Sequence, residues 1–387
     1  MVPKGWELSS IGKISDVSSG GTPSRNNEAY WNGNIPWVTT AEVQFKIIED
    51  TVEKITEEGL ANSSAKLFPA GTILMAMYGQ GKTRGQVAKL GIDASTNQAC
   101  AAIVLHTGYE VDFYYQFLIS QYENIREMAN SGGQQNLSGG IVKSIPVPVP
   151  PLTEQKKIAK ILSTWDNAIS VTEKLLTNSQ QQKKALMQQL LTGKKRLLDE
   201  NGVRFSGEWR NSTLSMFCNI AKGKALSASD LEVGDFPVIA GGKSSPYSHS
   251  DYTHENVVTV SASGAYAGYI SYHNYKIWAS DCSVVSAKAD NLIDYFYQLL
   301  LSLQDKIYSL QSGGAQPHIY PKDLNSIPLW VPCVKEQQKI AAVLSAADAE
   351  ISTLEKKLAC LRDEKKALMQ QLLTGKRRVK VDEAVAE

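Results

Sequence analysis

KKALMQQLLTGKKR at 183–196 recurs as KKALMQQLLTGKRR at 365–378, and this repetition decides the fold. The same shift of 182 residues aligns EQKKIAKILSTWD (154–166) with EQQKIAAVLSAAD (336–348), and 26 of the 43 positions are identical between 154–196 and 336–378. Upstream of these segments the two halves differ almost completely. The chain therefore holds two unlike segments, each followed by one copy of a repeated segment, which suggests one task performed on two targets.

The repeated segments have the pattern of long, paired α-helices. Their apolar positions alternate in steps of four and three residues, which is typical of a coiled-coil seam, although packing on a globular core would also produce such a stripe. A proline-rich stretch precedes each segment, and Gly193 or Gly375 follows it, as expected at helix ends. The predicted helix-pairing residues are Ile158, Leu162, Trp165, Ile169, Leu176, Leu186 and Leu190 in the first segment and Ile340, Leu344, Ile351, Leu354, Leu358, Leu361, Leu368 and Leu372 in the second.

Antiparallel pairing is the simpler topology for two such helices, each about 58 Å long at roughly 1.5 Å per residue. Both ends of the second unlike segment then meet at one end of the pair, and the repeats acquire pseudo-two-fold symmetry. Thr172, Ser179 and the seam lysines Lys183 and Lys365 weaken the apolar stripe. These positions indicate places where the pair splays or receives another subunit.

The unlike segments combine short β-type runs with turns, and each ends in a predicted amphipathic helix, at 111–129 and 292–310. The predicted fold class is α+β, with two mixed α/β domains of largely β body separated by the two antiparallel helices. We expect the first domain at 1–150, the first helix segment at 151–200, the second domain at 201–332 and the second helix segment at 333–387.

Composition excludes several classes of protein. The 387 residues suffice for two or three domains, and 43% hydrophobic with 20% charged residues is typical of a folded soluble protein. No run approaches eighteen apolar residues and the start lacks a secretory layout, so we expect a cytoplasmic protein that does not bind membranes. The five cysteines are scattered singly, which predicts reduced structural thiols and no metal site.

The net charge of +1 is low for a protein that binds DNA by neutralising phosphates. Neither unlike segment is basic overall. A basic face would have to arise from clustering in three dimensions, or from partner subunits that share the duplex.

The loops of both unlike segments are rich in Gly, Ser, Asn, Gln and aromatic residues. Gln and Asn pair bidentately with adenine and Lys and Arg with guanine, although turns favour the same residue types for local reasons. The predicted DNA-binding residues are Thr22, Ser24, Arg25, Tyr78, Gln80, Lys82, Thr83, Arg84, Gln134, Gln135 and Asn136 in the first segment and Lys222, Lys224, Lys243, Ser244, Tyr247, Ser263, Tyr266, Gln316 and His318 in the second.

One loop resembles a phosphate-binding motif. AMYGQGKT (76–83) places Gly81, Lys82 and Thr83 in register with G-x-x-x-x-G-K-[ST], but Ala76 replaces the first glycine and no Asp follows at a distance suited to magnesium. A nucleotide-binding enzyme using Gly79 to Thr83 is therefore one alternative. A coiled-coil scaffold with two ligand-binding domains is another. No catalytic motif is present, so no catalytic residue is predicted.

The whole chain resembles the specificity subunit of type I restriction-modification systems. The resemblance rests on two occurrences of I-P-x-x-x-P-x-x-x-E-Q-x-K-I-A followed by LLTGK, on the pairs Glu154-Gln155 and Glu336-Gln337, and on IPWVTTAEV at 35–43. It implies that each unlike segment is a target-recognition domain that reads one half of a bipartite, gapped DNA site. The helices would then set the gap.

The resemblance also implies partners. Two methyltransferase subunits would dock on the helices, bring S-adenosylmethionine and methylate adenine in double-stranded DNA. Restriction subunits would bring ATP hydrolysis and Mg²⁺. This chain would be a non-catalytic subunit without a cofactor of its own.

Overall fold

Each repeated segment folds into one uninterrupted α-helix of 39 residues, Leu152–Leu190 and Val334–Leu372. Gly193 and Gly375 follow these helices with φ angles of +72° and +69°, a left-handed conformation that glycine adopts without strain. The two glycines therefore end the helices where the sequence predicts.

The computed structural model describes residues 2–79, 81–129, 136–242, 247–314 and 316–381. The chain forms two compact units. Unit 1 is Met1–Thr172 with Lys357–Glu387, and unit 2 is Glu173–Lys356. Each unit thus combines one unlike segment with the beginning of one long helix and the end of the other.

The elements are numbered along the chain. Unit 1 contains β1 Glu7–Ser10, α1 Ile11–Ile14, β2 Ser15–Ser19, β3 Trp31–Val38, β4 Ile47–Ile48, β5 Glu53–Ile55, α2 Glu57–Ala61, β6 Ile73–Ala76, β7 Val87–Leu90, β8 Ser95–Thr96, β9 Cys100–Leu105, α3 Val111–Ser120, α4 Tyr122–Glu127, α5 Gly139–Ser144 and β10 Pro146–Val149. The long helix α6 Leu152–Leu190 leads into unit 2, which contains β11 Arg210–Thr213, α7 Leu214–Phe217, β12 Cys218–Lys222, β13 Phe236–Ile239, β14 Ser248–His249, β15 Val257–Ser261, β16 Ile270–His273, β17 Trp278–Ala279, β18 Cys282–Ala287, α8 Ile293–Ser302, α9 Gln304–Tyr308, α10 Pro321–Asn325, β19 Pro328–Val331 and the start of α11 Val334–Leu372.

The two units share one sheet topology although their sequences differ. Unit 1 has a five-stranded sheet in the order β2-β9-β6-β7-β4, and unit 2 has a four-stranded sheet in the order β12-β18-β15-β16. Each unit adds a three-stranded sheet, β5-β3-β8 or β14-β13-β17, and a two-stranded ribbon, β1-β10 or β11-β19. The predicted α+β class with two largely β domains is confirmed.

The predicted amphipathic helices at 111–129 and 292–310 are each interrupted, so the expectation of one continuous helix was wrong. α3 is separated from α4 at Gln121, and α8 from α9 at Leu303. The ψ angles of Gln121 and Leu303, 9° and 13°, depart from helical values, and the chain changes direction at these two residues. The short second helix of each pair then reaches a loop of the large sheet, as described below.

Each core is built from the first of these helices and the long helices. In unit 1, Phe113 and Tyr114 of α3 are buried with Ile158 of α6 and Leu372 of α11. In unit 2, Tyr295 and Phe296 of α8 are buried in the same way, with Leu190 of α6 and Ile340 and Leu344 of α11. The ends of the long helices are therefore part of each domain core, rather than a separate coiled coil.

Ion pairs show that the long helices run in opposite directions within each unit. In unit 1, Asp166 accepts a hydrogen bond from Lys365 at 2.6 Å, while Glu154, earlier in α6, pairs with Arg378, beyond the end of α11. The repeat places Lys183 with Asp348 and Arg196 with Glu336 in unit 2. Residues later in α6 therefore contact residues earlier in α11, as antiparallel pairing requires.

All predicted helix-pairing residues are buried or half-buried, as the pairing prediction requires. The polar seam positions do not mark places where the pair splays. Ser179 Oγ donates to Glu350 Oε1 at 3.0 Å, and both seam lysines form the ion pairs described above. These polar residues connect the two helices instead, while the Thr172 hydroxyl donates to the backbone carbonyl of Ala168.

Candidate nucleic-acid interface

In unit 1 the loop of residues 77–86 joins β6 to β7, and we call it the first hairpin loop. Gly79, Gly81 and Gly85 have φ angles of +135°, +70° and +83°, so the loop follows a backbone path that other residues adopt only with strain. Tyr78 and Lys82 are exposed, and Thr83 and Arg84 are half-buried. The glycines therefore determine the backbone conformation of a loop in which Tyr78 and Lys82 are exposed.

Helix α4 holds the first hairpin loop in place. The Tyr122 hydroxyl donates to the backbone carbonyl of Lys82, and Arg126 Nη1 donates to the carbonyl of Arg84 at 3.2 Å. Arg126 Nη1 also lies 3.0 Å from the Tyr122 hydroxyl. Neither residue is predicted from the sequence, because the role of both depends on the break that turns α4 toward the loop.

The loop does not have the geometry of a nucleotide-binding site. A phosphate-binding loop leads into a helix, whose N-terminal amides face the phosphates. Here the residues after Thr83 continue into strand β7, which pairs with β6. The resemblance of 76–83 to that motif is therefore local, and the geometry does not favour the nucleotide-binding alternative.

Two further predicted segments adjoin the first hairpin loop. The amide of Leu137, just after Asn136, donates to the carbonyl of Met77 at 2.9 Å, and the Met77 amide donates to the carbonyl of Ala99 at 2.8 Å. The turn that carries Ala99 also carries Gln98, which accepts a hydrogen bond from the Thr22 hydroxyl. Asn136, Thr22 and the hairpin loop therefore belong to one edge of unit 1, and Gln98 joins the candidate set.

Arg25 is engaged in a cluster of its own. Its guanidinium forms a two-bond ion pair with Glu53, and its Cζ lies 3.8 Å from the ring centre of Trp31. The Arg25 hydrogen bond lowers the pKa of the Glu53 carboxyl, and Glu53 raises the pKa of Arg25. Arg25 would have to leave Glu53 to contact a phosphate or a base. Ser24 is exposed beside it, and its carbonyl accepts from the Trp31 indole.

In unit 2 the loop of residues 262–269 joins β15 to β16 and is the second hairpin loop. It occupies the same place in the sheet order as the first, since β15-β16 corresponds to β6-β7. Helix α9 and the residues after it hold this loop, because Gln304 donates to the carbonyl of Gly268 and Gln311 to that of Ala267, both at 2.7 Å. The same role is thus filled by Gln side chains instead of Tyr and Arg.

Pro317 and His318 lie directly against the second hairpin loop. Ser263 and His318 form an antiparallel bridge, and the Gly264 amide donates to the carbonyl of Pro317 at 3.1 Å. The His318 ring stacks on Tyr320 with an interplanar angle of 13°, and Tyr320 is 43% exposed. Tyr320 is a further candidate that is not predicted from the sequence, because only the folded loop shows this stack.

The remaining predicted residues of unit 2 lie around the same edge or near it. The amide of Lys224 donates to the carbonyl of Ala279 at 2.8 Å, and the neighbouring Asp281 accepts a hydrogen bond from Ser263. Tyr266 and Gln316 are exposed in the two adjoining loops. Lys222 is exposed at the end of β12, and Tyr247, 59% exposed, pairs through its backbone with Val238.

Five predicted residues lie outside the described residues. They are Gln80, Gln134, Gln135, Lys243 and Ser244.

The duplicated Glu-Gln pair joins each domain to the long helices. Gln155 Oε1 accepts from the amide of Glu110, which precedes α3, and Gln337 Oε1 accepts from the amide of Leu292, which precedes α8, both at 2.9 Å. One residue earlier, Glu154 and Glu336 bind Arg378 and Arg196. In each unit the Gln therefore binds the residue before the domain helix, and the Glu binds an Arg in the segment that follows the opposite long helix.

The buried cysteines are poor nucleophiles. Burial raises the pKa of the Cys100, Cys218 and Cys282 thiols to about 12, which leaves almost no reactive thiolate at neutral pH.

Among the described residues, no helix is both long enough and apolar enough to span a membrane.

Comparison with known proteins identifies the family. The family model described as the type I restriction modification DNA specificity domain matches residues 3–178 and 206–361. The type I restriction enzyme MjaIX specificity subunit of Methanocaldococcus jannaschii is 32% identical over 178 residues, which are 45% of this chain and 40% of that protein. The match thus spans less than half the length of that relative. The MjaVIII specificity subunit of the same organism is 26% identical over 415 aligned positions, with 98% of this chain and 94% of that protein covered.

A solved structure has the same fold. The crystal structure of the type I restriction-modification S subunit from M. genitalium superimposes with a TM-score of 0.71 at 19% sequence identity, covering 96% of each chain. The two family matches fall on the two halves that the internal repeat defines and together cover well over half of the residues. The chain therefore belongs to the type I restriction-modification DNA specificity family.

Proposed function

We propose that this chain is the non-catalytic DNA-reading subunit of a type I restriction-modification complex, with one recognition domain at 1–150 and another at 201–332. One observation carries the proposal. The two units present equivalent loop pairs at one sheet position, the first hairpin loop beside Asn136 and the second beside Pro317 and His318, but with different side chains. Loops at equivalent positions with different side chains are what two domains need in order to read two different half-sites.

The proposed reading residues lie in these loops, where Lys82 and Gln316 are exposed and Asn136 is half-buried. Lys82 would contact a phosphate or a guanine, and the amides of Gln316 and Asn136 are of the kind that pair with adenine. Tyr78, Tyr266 and Tyr320 offer exposed rings for contacts with the sugar-phosphate backbone or thymine methyl groups. Domain-scale charge is near neutral, so partner subunits would share the phosphate contacts.

The chemistry of the complex belongs to partners. In this proposal two methyltransferase subunits bring S-adenosylmethionine and methylate adenine. Restriction subunits bring ATP and Mg²⁺ for translocation and cleavage. The assembly acts on double-stranded DNA in the cytoplasm.

Methylome sequencing tests this function. Cells that express the chain with its methyltransferase partner should show adenine methylation at a split, gapped motif. Replacing residues 1–143 with the corresponding segment of another such subunit should change one half of the motif only. A contiguous motif, or a change in both halves, would refute the assignment of one half-site to each domain.

The long helices set the gap in this proposal. Lengthening α6 by four residues within 173–182 adds about 6 Å of helix. The motif found by sequencing should keep both halves and change the number of bases between them. An unchanged gap would show that the length of the helices does not set the distance between the half-sites.

A further inference from the structure

One helix of each unlike segment carries a short stretch of common sequence. At the shift of 182 residues that aligns the long helices, 111–120 and 293–302 are identical at five of ten positions. The ten residues before them share no identical position, and the ten after them share only Ile125 with Ile307. The two stretches form α3 and α8, so this helix has side chains in common where the surrounding sequences differ.

A glutamine is among the identical residues, and in both units it binds a long helix. Gln116 Nε2 donates to Asp166 Oδ2 at 2.5 Å in unit 1, and Gln298 Nε2 donates to Asp348 Oδ2 at 2.6 Å in unit 2. The other carboxylate oxygen of each aspartate accepts the hydrogen bond from the seam lysine of the opposite long helix. In each unit one carboxylate therefore joins the domain helix to both long helices.

These glutamines do not favour the stability of the cores in which they lie. Gln116 and Gln298 are buried, and among the described residues their Oε1 atoms have no hydrogen-bond partner. A buried acceptor without a partner lowers stability, which an apolar side chain of similar size would avoid. The side chains of Asp166 and Asp348 are 42% and 38% exposed, so water can solvate them without the glutamine. Stability alone therefore does not explain why both domains have this glutamine.

The place of the glutamine indicates another role, because the same stretch of chain holds the hairpin loop. Six residues after Gln116, the Tyr122 hydroxyl donates to the backbone of the first hairpin loop. Six residues after Gln298, Gln304 donates to the backbone of the second hairpin loop. In each unit, a bond to the long helices and a bond to the hairpin loop thus lie close together in the chain.

The bond of the glutamine also fixes the direction of its helix. The start of α3 is held by Gln155, and the start of α8 by Gln337. The cores that join these helices to the long helices are apolar, and apolar contacts have no directional preference. Without the glutamine bond, α3 would be free to pivot about its start.

A small pivot has a large effect on the loop. At roughly 1.5 Å per residue, Tyr122 lies up to about 18 Å beyond the start of α3. A pivot of about 10° therefore moves the first hairpin loop by about 3 Å. One base pair more or fewer in the gap shifts a half-site by about 3.4 Å along the duplex and rotates it by about 35°. Twisting of the intervening DNA can absorb the rotation, so the protein must absorb the shift.

We propose that Gln116 and Gln298 are positioning residues that restrict methylation to a single gap between the half-sites. Their bonds to Asp166 and Asp348 fix the hairpin loop relative to the long helices within each unit. The inference rests on the function proposed above, in which the length of the long helices sets the gap. The glutamines determine how strictly that gap is kept.

Methylome sequencing of cells that express full-length variants with the methyltransferase partner tests this role. Gln116→Leu and Gln298→Leu, singly and together, remove the bond but leave a side chain of similar size. Methylation at sites whose gap is one base pair shorter or longer should rise at least about five-fold over the unchanged chain, the factor that corresponds to one hydrogen bond. The rise should be largest in the double variant, and both half-site sequences should stay the same.

A destabilised variant separates positioning from stability. Ile103→Val removes a buried methylene in β9, outside α3 and the long helices. It should lower the unfolding temperature measured by circular dichroism and produce no methylation at the shorter or longer gap. Gln116→Leu should unfold at the same temperature as the unchanged chain or higher, because its buried acceptor is gone. Methylation at other gaps in Ile103→Val would mean that general destabilisation relaxes the gap, and would overturn the proposal.

Three further outcomes can be told apart. Normal methylation at the original gap alone in the double variant would overturn the proposal. A uniform loss of methylation without new gaps would also overturn it, because the glutamines would then be structural only. An unchanged chain that produces no split, methylated motif would instead refute the proposed function itself.

Discussion

Arg196 donates two hydrogen bonds to the fully buried carboxylate of Glu336, from Nε at 2.6 Å and from Nη2 at 2.7 Å. The repeat produces a second such pair, in which Arg378 Nε lies 2.9 Å from Glu154 Oε2. The environments differ, because the Arg196 side chain is 20% exposed and the Arg378 side chain 41%. Glu154 also accepts a hydrogen bond from the Trp6 indole.

We expect Arg196→Met to lower the free energy of unfolding by about 3 kcal/mol, because Glu336 then remains as a buried charge without its partner. Arg378→Met should cost about 1 kcal/mol, since Arg378 is more exposed and Glu154 keeps its bond from Trp6. Urea unfolding followed by circular dichroism measures both losses.

The double variant Arg196→Met with Glu336→Leu is the control for this prediction. Replacing both partners removes the unpaired charge and should recover most of the lost stability. Equal losses for the two single arginine variants would contradict the argument from burial.

The sequence predicts the long helices well because their signal is periodic and local. Leu162 and Leu344 occupy the same seam position in both copies, and both are buried as the spacing requires. The contacts of Ser179 and Lys183 could not be predicted, because their bonds to Glu350 and Asp348 depend on the register between helices far apart in sequence. The local sequence pattern predicts which face of the helix a residue occupies, but it does not predict which residue of the other helix it contacts.

The candidate interface was only partly predictable for the same reason. Lys82 and Ser263 were selected from loop composition, and both lie in hairpin loops at equivalent sheet positions. Tyr122 and Gln304, which hold those loops, sit inside helical patterns that read as ordinary amphipathic packing. Only the breaks at Gln121 and Leu303 give them this role.

Lys82→Ala should weaken binding of duplex DNA about three- to ten-fold and reduce the slope of log affinity against log salt by about 1, as expected for loss of one phosphate contact. Electrophoretic mobility shifts at several salt concentrations, with the chain in complex with its methyltransferase subunits, measure both effects. Lys66→Ala, an exposed lysine of unit 1 outside the loop, is the matched control. An unchanged salt slope for Lys82→Ala would remove this lysine from the interface.

Tyr122→Phe should weaken DNA binding about five-fold although Tyr122 need not touch DNA, because the loop loses one hydrogen bond worth about 1 kcal/mol. The released Lys82 carbonyl can bond to water, so we expect little change in the thermal unfolding of the chain. Tyr30→Phe, in the 3-10 turn Glu28–Tyr30, provides a control in the same unit. Full DNA affinity in Tyr122→Phe would show that α4 does not position the loop.

His273 makes unit 2 sensitive to acid. Its ring is buried in β16, with Thr259 Oγ1 2.9 Å from Nε2 and the Tyr275 hydroxyl 3.2 Å from Nδ1. Burial lowers the pKa of His273 from 6.5 to about 4. Above pH 6.5 the ring is neutral in both the folded and the unfolded chain, so its protonation does not affect stability there.

Below pH 6.5 the unfolded chain binds a proton that the folded chain does not, so stability falls with pH until about pH 4. The loss from His273 should be about 2 kcal/mol at pH 5 and about 3 kcal/mol at pH 4. Native-state hydrogen exchange of the β15 and β16 amides, corrected for the intrinsic rate at each pH, measures the opening free energy of this sheet. His273→Gln has no ring to protonate, so it should lose about 2 kcal/mol less than the unchanged chain between pH 7 and pH 5. An equal loss in both chains would contradict this prediction, because it would mean that the His273 ring binds a proton as readily in the folded chain as in the unfolded chain.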